Sequence, residues 1–148
     1  MARGKSEGFT LIELLIVVAI IGIIASIAIP GLLNAVDRGK QKRTMSDLRV
    51  LGNAVETYSI DENTYPVAGT INELATQLSP DYLPKAILTD GWRNQLSISS
   101  TQTQYTVCSG GKDGGVCTGD GAGPTHLFTD SITYTAGNFV QWPEGKQR

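Results

Sequence analysis

The sequence predicts an α+β protein: a long N-terminal helix, membrane-spanning at first and amphipathic later, packed on a small antiparallel β-sheet. Phe9 to Ile29 holds 21 residues with Glu13 as the only charge. After Pro30 an apolar stripe recurs at helical spacing. From Thr64 onward, short β-rich runs alternate with turns rich in glycine and proline.

The apolar run comes first. At a rise of ~1.5 Å per residue it spans ~31 Å, enough to cross a hydrocarbon core. A secretory signal has a shorter apolar core and a small-residue cut site after it; this run has neither. Gly22 and Ser26 stand four apart, with Ala19, Ala25 and Ala28 nearby. Small residues on one face let helix backbones approach closely in a membrane. Pro30 has no N–H for the Ser26 carbonyl, and Gly31 follows it. The pair predicts a kink or weak point within a longer helix, because helical periodicity resumes beyond it.

That periodicity is carried by Met45, Leu48, Leu51, Val55 and Tyr58, with Arg43, Asp47, Arg49 and Glu56 between them. It describes one apolar stripe on a water-exposed helix, which something must cover. A helix from Phe9 to about Asp61 would be ~80 Å long. Its basic run Arg38–Arg43 suits acidic lipid headgroups, acids on a neighbouring chain, or plain solvation.

The remainder, residues 64–148, makes one small domain. Pro66 disfavours helical geometry at Tyr65 and so ends the long helix. Ile71 to Leu78 predicts a short helix capped by Thr70, with Glu73 three residues on. Strands are expected at Gln95–Ser99, Gln104–Cys108, Ser131–Thr135 and Asn138–Trp142. Ala136-Gly137 between the last two predicts a tight hairpin.

Gly8, Phe9, Thr10, Leu11 and Glu13, with the apolar run to Ile29 and Pro30, form a signature that resembles the type IV pilins and the pseudopilins of type II secretion. The resemblance implies a pilin fold divided into a leader (1–8), a membrane and assembly segment (9–30), an amphipathic segment (31–63) and a globular domain (64–148). It implies cleavage between Gly8 and Phe9 by a prepilin peptidase, and methylation of the new Phe9 amine. It further implies a homopolymeric helical filament built through the N-terminal helix, with Glu13, Gly22 and Pro30 as assembly residues. The implied partners are an inner-membrane assembly platform and minor pilins or pseudopilins. Before assembly the chain would be a single-pass inner-membrane protein with its globular domain in the periplasm; afterwards it would lie in a periplasmic or surface filament.

Charge gives a conflicting signal on orientation. The leader carries Arg3 and Lys5 against Glu7, while Arg38, Lys40, Lys42 and Arg43 follow the apolar run. A positive-inside count alone would place the far side in the cytoplasm. The processing signature requires a cytoplasmic leader and takes precedence, and two downstream cysteines suit an oxidising compartment.

Glu13 has three readings: an acid tolerated near the membrane surface, a partner for its own chain's terminal amine, or a salt bridge to the Phe9 amine of a neighbouring subunit. A charge in a bilayer core is costly without a partner, and the resemblance favours the third reading or a mixture.

Asp61-Glu62-Asn63-Thr64-Tyr65-Pro66, Asp90-Gly91-Trp92-Arg93-Asn94 and the stretch from Tyr105 to Gly114 resemble the major pseudopilin subgroup. Gly91 and Arg93 depart from its Asp-Pro-Trp-Gly-Asn turn. That subgroup's loop usually binds calcium, which points to Asp120 and Asp130, with Asp113 the weaker candidate. Cys108 and Cys117 are expected to pair and pin the same loop, a departure from the subgroup's pattern. A lone His126 and two thiols do not make a zinc site.

No sequence motif points to catalysis. Ser109-Gly110-Gly111-Lys112-Asp113 only superficially suggests a phosphate loop, and there is no G-x-S-x-G or H-E-x-x-H. With 12 basic and 14 acidic residues the net charge is −2; removing Arg3, Lys5 and Glu7 leaves 10 and 13, or −3. Bulk charge therefore does not indicate nucleic-acid binding, unless the chain forms an uptake pilus. A major pseudopilin is the first expectation. A type IV pilin of a surface pilus, serving adhesion, twitching or DNA uptake, is the alternative, and an anchored binding module that never polymerises is a third.

Overall fold

The computed structural model describes residues 8–117 and 121–147. The chain divides into two compact units, Met1–Ala35 and Val36–Arg148.

Helix α1 runs Leu11–Glu62, with Pro30 inside it rather than at its end. Among the described residues it is the one helix long and apolar enough to cross a membrane. In the first unit its side chains are exposed nearly all round, from Leu11 at 80% to Ile27 at 75%. A helix that is apolar on every face has no core of its own and is stable only when lipid or other protein covers it.

In the second unit α1 becomes one wall of a core. Leu48, Leu51 and Val55 are fully buried, and Met45 and Tyr58 pack at the margin. This is the predicted stripe. It also extends further back than the apolar residues showed: Asp37, Gln41 and Thr44 continue the same spacing and are buried too. The helix ends at Glu62, and Asn63 turns the chain with φ 58°.

Helix α2, Ile71–Leu78, has the predicted capping box. The Glu73 N–H donates to Thr70 Oγ1 at 3.3 Å, and Glu73 Oε2 accepts the Thr70 N–H at 3.3 Å. Its Ile71, Leu74 and Leu78 bury one face against the same core.

The sheet has five strands: β1 Ser97–Ser100, β2 Tyr105–Ser109, β3 Gly123–Thr125, β4 Ile132–Thr135 and β5 Asn138–Pro143, in the order β1-β2-β4-β5-β3. Four of them match the predicted strands with shifted ends. The expectation of an antiparallel sheet needs correction, because β3 pairs with β5 in parallel, Gly123 opposite Gln141. The reason lies in β3 itself. Gly-Pro-Thr is a poor strand sequence, and proline is tolerated in a sheet only where no ladder N–H is required, as on this edge. The Ala136-Gly137 hairpin is present, with φ of 46° and 79°, the two positive values a type I′ turn demands.

One sheet face supplies Ile98, Tyr105, Val107, Ile132 and Tyr134 to the core beneath α1. Gly52 is where the two layers touch: a Cβ there would lie 2.1 Å from the Tyr134 ring. Tyr105 is buried, and its hydroxyl accepts the Gly137 N–H at 3.3 Å. Burial pushes this phenol well above its usual range.

Candidate functional site

The head of α1 holds the predicted processing and assembly residues. Gly8 has open space around it, and Phe9 is 84% exposed. Glu13 is not idle here. Its Oε2 accepts the Thr10 N–H at 2.9 Å and the Thr10 hydroxyl at 2.8 Å, while its own N–H donates to Thr10 Oγ1 at 3.3 Å. Thr10-Leu11-Ile12-Glu13 is therefore a capping box that satisfies amides at the open end of the helix. The T-x-x-E spacing of this box is legible in the sequence. Gly22 has nothing close to it, which leaves a shallow spot on the helix surface. Ser26 turns its hydroxyl back to the Ile23 carbonyl at 2.8 Å. Residues 1–7 of the leader lie outside the described residues.

A second constellation fastens the globular half to the helix, and sequence reasoning missed it. Asp37 is only 6% exposed. Its Oδ1 accepts the Trp92 indole N–H at 3.0 Å, and its Oδ2 accepts the Lys112 ammonium at 2.7 Å. The Lys112 ammonium, followed by the Trp92 indole, holds the Asp37 carboxyl below the usual carboxylate range against the opposing effect of burial. About two turns further on, Thr44 Oγ1 accepts the Gly91 N–H at 2.9 Å. A Cβ at Gly91 would lie 2.2 Å from the Lys40 carbonyl oxygen, so the bare backbone lets this turn press on the helix.

The turn is organised by Asp90, 2% exposed. Its Oδ1 accepts the Trp92 and Asn94 N–H groups at 2.9 Å each, and its Oδ2 accepts the Ser109 hydroxyl at 2.8 Å. Asn94 Nδ2 in turn donates to the Gly111 carbonyl at 2.8 Å. The residues that superficially suggested a phosphate loop, Ser109 to Lys112, instead tie this turn, the loop after β2 and α1 together.

That loop is closed by a Cys108–Cys117 disulfide, as predicted. Asp113 Oδ1 accepts the Gly115 N–H, which serves its own turn. Asp130 Oδ2 accepts the His126 and Leu127 N–H groups at 3.0 and 2.9 Å. Asp120, the other half of the expected calcium pair, lies outside the described residues. Among the described residues no three histidine, cysteine or acidic side chains converge. His126 is exposed, with Nδ1 3.2 Å from the Glu144 carbonyl oxygen.

Comparison with known proteins decides between the readings of this helix and domain. The family described as Type II secretion system (T2SS), protein G matches residues 31–123. The chain belongs to this family. The prokaryotic N-terminal methylation motif matches residues 3–29, the segment that contains Gly8, Phe9 and Glu13. Curated relatives are named type II secretion system core protein G. The one from Vibrio cholerae is 32% identical over 130 residues, covering 78% of this chain and 88% of the relative. That from Escherichia coli K12 is 30% identical over 131 residues, covering 80% and 90%. That from Pseudomonas aeruginosa is 28% identical over 115 residues, covering 77% and 81%. No solved structure gives a significant match. The resemblance to the major pseudopilin subgroup is thus correct, despite the disulfide and the changed turn at Gly91 and Arg93.

Proposed function

We propose that this protein is the major pseudopilin of a type II secretion system, a structural subunit that polymerises through its N-terminal helix. The observation that carries the proposal is the exposed apolar length of α1 behind a matched methylation motif. Such a surface is satisfied by lipid before assembly and by other copies of the helix afterwards. In this scheme a prepilin peptidase removes residues 1–8 and methylates Phe9, an inner-membrane platform adds the subunit to the filament, and minor pseudopilins join it. The globular half faces the periplasm. The role is mechanical rather than catalytic.

The boundaries 9–30, 31–63 and 64–148 describe the work of each segment, although the compact unit begins at Val36. In that division Gly22 sits in the packing surface, Pro30 marks a point of weak backbone bonding, and Glu13 meets the Phe9 amine of a neighbour. Mass spectrometry of the purified protein is expected to find a chain beginning at Phe9 and bearing one methyl group. Functional protein that still begins at Met1 would overturn the proposal.

Calcium at Asp120 and Asp130 has less support. The described residues supply Asp130, whose Oδ2 is already taken by two amides, and the loop is held by its disulfide. To ligate calcium through Oδ2, Asp130 would have to give up both amides. Calorimetric titration of the full chain is expected to show no saturable heat at millimolar calcium. A saturable signal that Asp130→Asn removes would instead establish the pair.

A further inference from the structure

We propose that the first turns of the second unit carry a binding patch for anionic phospholipid headgroups, formed by Lys40, Arg43 and Arg93 around Trp92. The patch rests on the membrane-anchored state put forward above. These residues, with Gly39 and Gly91, line an open groove of about 590 Å³. Arg38 and Lys42, exposed on the same turns of helix, line a separate groove with Gln41 and Met45 and are not part of the patch.

Little acid offsets this charge. Between residues 31 and 55 the acids are Asp37 and Asp47. Asp37 is buried and paired with Lys112, and the partly buried Asp47 lies 3.5 Å from the exposed Arg43. Asp90, beneath the groove, is sealed by amides and the Ser109 hydroxyl. Among the described residues neither Lys40 nor Arg93 has an acidic partner.

The backbone strengthens the case. Arg93 takes φ 74°, a conformation that favours glycine. A large cation held where a bare residue would fit better is an outlier that calls for a role. Gly91 brings it there, because only a residue without Cβ lets the turn approach Lys40 so closely.

The position selects the ligand. Leu32, Leu33 and Val36 are exposed and apolar, and Lys40 follows Val36 by four residues, ~6 Å of helix rise. Counted from Ile29, where the apolar run closes, Lys40 stands ~16 Å out along the helix, about one Debye length beyond the headgroup layer and within reach of its field. A guanidinium fork suits a phosphodiester, the indole of a half-buried tryptophan suits the membrane–water boundary, and anionic lipid draws basic residues just outside the bilayer.

The test uses the full chain in lipid nanodiscs with Trp142→Phe, which leaves Trp92 as the sole indole. Incorporation into discs of phosphatidylcholine alone is scored first and reports on anchoring independently of the patch; a chain that enters no disc overturns the anchored state and the patch with it. Brominated phosphatidylglycerol is then expected to quench Trp92 about twofold more than brominated phosphatidylcholine at equal content, and the difference is expected to fade with added salt. Replacing Lys40, Arg43 and Arg93 together by glutamine should abolish it with the circular dichroism spectrum unchanged, and Arg93→Gln alone should reduce it. Equal quenching by the two lipids overturns the patch. So does a preference that survives the triple variant; if that variant also loses filaments, the cations serve an acidic face of a second copy instead.

Discussion

Glu13→Ala is expected to leave the protein in the membrane and to impair filament growth. The apolar run that inserts the helix is untouched, and loss of a charge makes insertion easier, not harder. What disappears is the anion that would meet the Phe9 amine of the next subunit. The concentration needed for assembly should rise about three- to thirtyfold, the scale of one polar contact between helices in lipid. The alanine variant alone cannot separate two effects, because Glu13 also closes the capping box with Thr10. Glu13→Gln resolves them. Glutamine keeps an oxygen for the Thr10 N–H but carries no charge. It should assemble as poorly as alanine, while Thr10→Val, which removes the hydroxyl and keeps the charge, should assemble nearly normally. Filament yield by electron microscopy, with the membrane fraction as loading control, reads the result. Normal filaments from the glutamine variant would reduce Glu13 to a helix cap.

The parts of this molecule that sequence made legible are those where one local rule acts alone. The α2 cap follows from Thr70 and Glu73, the hairpin from Ala136-Gly137, and the buried stripe from Leu48, Leu51 and Val55. The fastening of the turn and loop to the helix was illegible for a different reason. Asp37, Gln41 and Thr44 share the stripe's spacing but look like surface residues, and burial becomes tolerable only through partners far along the chain. Trp92 is 55 positions away from Asp37, Lys112 is 75, and Gln147 is 106 from Gln41. A helical period continued through polar residues was the available signal. Strand β3 was missed because its glycine and proline argue against a strand, and only its edge position makes it possible. Among the site residues, Gly8, Phe9 and Glu13 lie in the matched methylation motif, whose contiguity makes it visible in sequence alone. The resemblance placed calcium at Asp120 and Asp130 in a glycine-rich loop, and Asp130 has an ordinary use there, accepting the His126 and Leu127 N–H groups.

Asp37→Ala is expected to loosen the grip of the globular half on α1. The variant leaves the half-buried Trp92 indole without its acceptor and the Lys112 ammonium without its partner. Lys112 is half exposed, so water recovers part of its share, and the effect should fall below that of a fully buried pair. A destabilisation of about 2–3 kcal/mol follows, or about 8–12 °C in melting temperature for a unit of this size. The pH dependence gives an independent check. Asp37 has a lowered pKa in the folded protein. Its contribution is therefore complete above the unfolded value, about pH 4, and is lost as pH falls through the folded value below it. Asp37→Asn keeps an acceptor for the indole and removes this titration. Its melting temperature should lie between those of wild type and alanine at neutral pH, and the gap to wild type should close as the solution is acidified toward pH 2. Thermal unfolding of the full chain in mild detergent, followed by tryptophan emission, measures both. A gap that stays constant across that range would mean that Asp37 acts by shape alone. In a filament the globular halves are carried by their helices, and Asp37 is the first buried residue of the stripe to follow the apolar segment. A weakened joint there should let subunits add normally while the globular half separates under load, so secretion should fall before filament assembly does.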